Sequence, residues 1–63
     1  MMKIKQIIKI ENLLMKASSK LSGNVVKRLF DNNISAGLIE IEIVLNYLNE
    51  VKRILEDEQS KSS

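Results

Sequence analysis

The chain of 63 residues contains no cysteine, proline, histidine or tryptophan, two glycines, and one Tyr and one Phe as its only aromatics. Without Cys or His there is no disulfide framework, no zinc site of the usual ligands, no thiol nucleophile and no imidazole base. Without proline nothing breaks a helix outright. Neither sign of charge dominates, since ten Lys and Arg stand against eight Asp and Glu for a net +2. No apolar run approaches the roughly 18 residues of a membrane span, and Ile7-Ile8-Lys9-Ile10-Glu11-Asn12 interrupts any signal-type apolar stretch after Lys3 and Lys5. A cytoplasmic protein is the expectation. A chain this short buries only about 60% of its unfolded surface, so one marginal domain is expected, and self-association is the remaining way to stabilise it.

What is present is helical. The strongest breaker is Asp31-Asn32-Asn33, with Ser35 expected to cap the helix that follows. A weaker one runs from Ser18-Ser19 to Ser22-Gly23-Asn24, where Gly in a helix costs about 1 kcal/mol relative to Ala. Stepping 100° per residue, Ile7, Ile10, Leu14, Ala17, Leu21, Val25 and Leu29 share one arc, so the apolar phase survives that segment. This predicts one long first helix, about 2–31, with Gly23 facing solvent and marking a kink. The competing fold is a three-helix mini-bundle, about 2–17, 24–32 and 35–58. A second helix is expected over about 35–58, which closes a single helical domain 1–58 and leaves 59–63 as a disordered polar tail.

In the second helix, Leu38, Ile41, Leu45, Leu48 and Leu55, flanked by Val44 and Val51, have the spacing of a helix-pair seam. Ile39, Ile43, Tyr47 and Ile54 form another stripe, which one antiparallel neighbour would leave bare. These four residues are therefore the expected oligomer or partner interface. The resulting fold is all-α, an antiparallel helical hairpin dimerising into a four-helix bundle. Charge supports the hairpin: residues 1–30 carry seven basic side chains against Glu11, net +6, and residues 31–63 carry three against seven acids, net −4, together the chain's +2. Glu11 and Lys52 each interrupt an apolar stripe, and folding about Asn33 brings them to similar heights, so an interhelical ion pair between them is expected.

No catalytic constellation emerges. Glu40 with Glu42, or Glu56 with Glu58, stand two apart and point about 200° away from each other on a helix. No phosphate-cradling glycine loop and no loop-spaced set of acidic ligands occurs, so no enzyme, cofactor, metal or small-molecule substrate is expected. Lys5, Lys9, Lys16, Lys20 and Lys27 fall within about 60° of one another and make a basic stripe suited to the phosphates of nucleic acid. A membrane-surface role has less support, because residues 2–17 are amphipathic and basic but hold no aromatic anchor. A helix-turn-helix laid over 25–44 would begin its recognition helix with Glu40 and Glu42, which repel phosphate, and a ribbon-helix-helix has too long a gap after Lys3-Ile4-Lys5.

In plan and length the whole chain is similar to Rop-type plasmid RNA-binding hairpins, whose dimers present one helix pair to RNA. That resemblance is architectural, rests on no shared motif, and implies no particular residues. The sequence thus points first to a small regulatory or adaptor protein that contacts another protein as a helical homodimer, and second to a nucleic-acid-binding regulator using the lysine stripe.

Overall fold

A computed structural model describes residues 2–62. Helix α1 spans Ile4–Ser19, a π-helical segment covers Lys20–Val25, α2 covers Val26–Phe30, and α3 spans Ile34–Ser62. The first three form one arm. Ser19 and Val26, on either side of the π segment, keep right-handed helical dihedrals of −61°, −41° and −61°, −42°, so the chain does not turn there. The long first helix is thereby found, and the three-helix alternative is not. Lys3 caps the start of α1, and its extended backbone is held by the Gln6 side chain: Oε1 accepts the Lys3 N–H at 3.3 Å.

The π segment has a local cause. It collects the weak helix formers Ser22, Gly23 and Asn24, and the Ser22 hydroxyl donates to the Ser18 carbonyl at 3.0 Å, a bond that competes with the helical ladder. Gly23 faces solvent, and an added Cβ there would meet nothing within 4 Å.

The turn is built from two asparagines. Asn32 has φ 56°, the left-handed conformation that Asn tolerates best after Gly. The Asn33 N–H reaches the Arg28 carbonyl at 2.8 Å and the Asn32 N–H the Leu29 carbonyl at 3.0 Å, the Schellman ending. Asn33 then starts α3, its Oδ1 accepting the Ala36 N–H at 3.1 Å. The cap expected at Ser35 is therefore supplied two residues earlier, because Ser35 already lies inside the helix. α3 runs to Ser62, beyond the boundary expected at 58, so 59–62 of the expected disordered tail continue in helical geometry; Ser63 lies outside the described residues.

α3 packs antiparallel along the first arm in a single layer of 47 × 17 × 10 Å. Lettered as heptads with the seam at a and d, α3 contributes Gly37, Val44 and Val51 at a and Glu40, Tyr47 and Ile54 at d. The first arm contributes Gln6, Leu13 and Lys20 at d and Ile10 and Ala17 at a, then resumes with Val25 at a and Arg28 at d. All of these are buried or half-buried, and Ala17, Val44 and Val51 are the fully buried hydrophobic residues. From Lys20 to Val25 the step is five residues where a heptad takes four. The π turn absorbs the extra residue and returns Val25 and Arg28 to the seam.

This seam differs from the expected one. Leu38, Leu45, Leu48 and Leu55 are exposed and Ile41 is half-buried, whereas Tyr47 and Ile54 of the other stripe lie between the helices. The cause is bulk. A close approach needs small side chains, and the row through Gly37, Val44 and Val51 meets Ala17, where the leucine row would hold the arms apart.

Candidate interaction face

Seven-residue repeats set the surface. On the first arm Ile7, Leu14 and Leu21 occupy heptad position e, followed after the π turn by Leu29; on α3 the e positions are Ile41, Leu48 and Leu55. Ile34 extends the e row of α3 by one repeat, and position b, one row further out, adds Ile4 and Val26 from the first arm and Leu38 and Leu45 from α3. In an antiparallel pair the e rows of both helices flank the seam on the same side. The two sets therefore form one apolar face of the hairpin. Apart from half-buried Ile41, these side chains are between 41% and 75% exposed. A patch of this size on one side is well beyond scattered surface apolar residues.

Two concavities lie on this face. An open groove of about 430 Å³ is lined by Ile7, Ile10, Glu11, Leu14, Met15 and Ser18, and a second of about 310 Å³ by Val26, Leu29 and Phe30. The whole chain exposes 5082 Å². A compact monomer of 7.2 kDa exposes about 4,100 Å², so the hairpin carries roughly 1,000 Å² more than its mass requires.

The opposite side is mostly polar and carries an ion-pair cluster. Lys9 Nζ stands 3.9 Å from Glu50 Oε1, and Arg53 Nη2 donates to Glu50 Oε2 at 3.0 Å. In the seam, Lys20 Nζ donates to Glu40 Oε2 at 3.3 Å and Asn24 Nδ2 to the same oxygen at 3.3 Å, with side-chain exposures of 26% for Lys20 and 13% for Glu40.

Against this geometry the expected sites distribute as follows. No known protein family, characterised protein or solved structure matches the chain. The site therefore rests on its own geometry. Of the stripe expected as an oligomer interface, Tyr47 and Ile54 lie in the hairpin seam, Ile43 is half-buried on the polar flank, and Ile39, 62% exposed, stands apart from the apolar face. Of the lysine stripe, Lys5, Lys9, Lys16 and Lys27 remain exposed on the polar side, while Lys20 is drawn into the seam by Glu40. Glu11 and Lys52 are both exposed and, among the described residues, no ion pair joins them within the hairpin. The reason is rotational: both occupy b positions, two rows away from the seam. Register between the arms comes instead from Lys9 with Glu50 and Lys20 with Glu40.

Sequence reasoning missed the apolar face itself. Its signal was the strict spacing of seven in Ile7, Leu14, Leu21 and again in Ile41, Leu48, Leu55, which marks a row parallel to a seam as clearly as the seam itself. No helix among the described residues is long and apolar enough to cross a membrane, and no cluster of three or more acidic side chains there could hold a metal.

Proposed function

We propose that the protein is a small non-enzymatic adaptor or regulatory module that acts through protein contacts as a helical homodimer. The observation that carries this reading is the uncovered apolar face, with e and b rows of both arms on one side and most of the charged side chains on the other. A single layer of two helices has no second side to its core, and the stable solution for such a layer is to pack on another. The area in excess of a compact monomer, about 1,000 Å², is close to the roughly 800 Å² each partner gives a standard interface.

Sedimentation across a dilution series tests the reading. The expected species is a dimer, twice 7.2 kDa, whose helicity falls as it dissociates. Leu48→Glu, a charge in the middle of the face, should give monomer or unfolded chain. A wild-type protein that stays a folded monomer at high micromolar concentration would overturn it.

A further inference from the structure

Resting on that reading, we infer how the second copy docks: with both turns at the same end, each first arm lying on the partner's α3, so that Glu11 of one chain pairs with Lys52 of the partner subunit.

Two-fold symmetry lets the apolar face meet itself in two ways. A two-fold axis along the helices sets each first arm over the partner's α3 and keeps every residue at its own height. An axis across the helices sets first arm over first arm and α3 over α3, with the turns at opposite ends. Every facing helix pair is antiparallel in both, so packing direction does not choose between them. Charge does. Residues 1–30 carry net +6 and residues 31–63 net −4. The crosswise arrangement stacks basic arm on basic arm and acidic on acidic, but Lys5, Lys9, Lys16 and Lys27 point away from the face, where salt screens them over about 8 Å, so the charges on the face itself decide. The lengthwise arrangement alternates the signs around the bundle.

The face itself carries one charge on each arm. On the e and b rows of the first arm that charge is Glu11, and on those of α3 it is Lys52. Neither has a partner in its own hairpin among the described ion pairs. Their heights follow from the observed pairs: Lys9 opposite Glu50 and Lys20 opposite Glu40 place Lys52 level with residue 7 or 8. Glu11 is then three or four residues away, roughly 5 Å along the axis at 1.5 Å per residue, within the reach of a lysine stem. A lengthwise axis keeps those heights, so both Glu11 and Lys52 pairs close at once. Glu11 also lines the groove with Ile7, Leu14 and Met15, where the partner's lysine stem would lie against apolar walls. A crosswise axis brings Glu11 over the partner's first arm, whose e and b rows hold no cation.

Charge reversal tests this without ambiguity between pairing within and between chains. Glu11→Lys and Lys52→Glu should each weaken self-association about tenfold, since like charges then meet twice. Mixing the two variants should restore wild-type affinity as a heterodimer, because each contact in the mixed dimer joins opposite charges. A pair within one chain gives no such recovery. The turn positions supply a second readout, since the chain has no native cysteine. Spin labels on Asp31→Cys should lie within about 25 Å of each other, some two to three helix spacings. A separation near the 47 Å length of the hairpin, or mixed variants no tighter than either alone, overturns the docking while leaving the homodimer standing. Absence of any dipolar coupling together with monomeric sedimentation overturns both.

Discussion

Deleting one residue from a helix normally rotates everything on one side of the cut by about 100° and ruins a seam. Deletion of Gly23 should do the opposite here. The step from Lys20 to Val25 is one residue too long for a heptad, and the π turn holds the surplus. Removing Gly23 shortens that step to four, so a regular α-helix would leave Val25 and Arg28 in the seam and Val26 and Leu29 on the apolar face. It also removes a helical glycine that costs about 1 kcal/mol relative to Ala, and whose side has nothing within 4 Å to lose. The control is deletion of Asn12, an exposed residue of α1 in regular geometry. That change swings residues 4–11 out of phase, taking half-buried Ile10 from the seam and separating Lys9 from Glu50. Burying an isoleucine contributes about 1.5–3 kcal/mol, and Ile10 is only partly buried, so the cost should be about 1–2 kcal/mol. For a domain this small each kcal/mol is about 4–8 °C in Tm. Thermal melts followed by circular dichroism, at one fixed protein concentration, should show the Gly23 deletion melting at or above wild type and the Asn12 deletion roughly 10 °C below it. Equal losses in both would refute the phase argument and mean the first arm is regular throughout.

Gly37→Ala should stabilise by about 1 kcal/mol, because its Cβ would find Leu29 Cδ2 at 3.7 Å and Arg28 Cβ at 3.9 Å, ordinary contacts; a marked drop in Tm would mean the arms lie closer than these distances. Asn33→Ala removes the cap of α3 and should cost about 1 kcal/mol in urea titration, whereas Ser35→Ala should cost a few tenths at most; the reverse order would place the cap at Ser35. Lys20→Ala leaves the Glu40 carboxylate, 13% exposed, with Asn24 alone, and should destabilise more than Lys9→Ala, whose side chain is 62% exposed; equal losses would remove Lys20 and Glu40 from the seam. Electrophoretic retardation of DNA or RNA at low salt, abolished by Lys9→Glu with Lys16→Glu at unchanged helicity, is what the lysine-stripe alternative requires; no retardation by the wild type discards it.

The two-arm plan was readable because its signals are local. Asp31-Asn32-Asn33 has the left-handed and capping preferences that a helix-to-helix turn uses, and the apolar periodicity of each arm is long enough to average out single exceptions. Which row of α3 faces the first arm was not readable, because apolar residues cover too wide an arc. The leucine-rich row is the more hydrophobic of the two, and a hydrophobicity count selects it. The fold selects the row where Gly37, Val44 and Val51 let a helix bearing Ala17 come close, and that choice is made by side-chain volume on both helices at once. Glu40 and Lys20 are a second instance: each alone looks like surface, and only their meeting across the seam explains either. The surplus residue at the π turn was hidden for a related reason. Ile7, Leu14, Leu21 and Val25 keep one broad apolar arc whether or not a residue is absorbed, while the narrow seam does not.

The three-residue turn also orders the hairpin in time. Lys20 meets Glu40 across a span of twenty residues, near the turn, whereas Lys9 meets Glu50 across about twice that. Closing the outer layer first would carry the entropy of the longer loop, but once the inner layer is in place each further turn of helix closes only a few residues more. The arms therefore zip from Asn33 outward and open from the free ends inward. Amide hydrogens should show this as a gradient, slowest to exchange in the helical turns beside Asn33, around Arg28 and Gly37, intermediate at Ala17 and Val44, and fastest toward Ile4 and the last turns of α3, with proteases nicking the open end long before the turn.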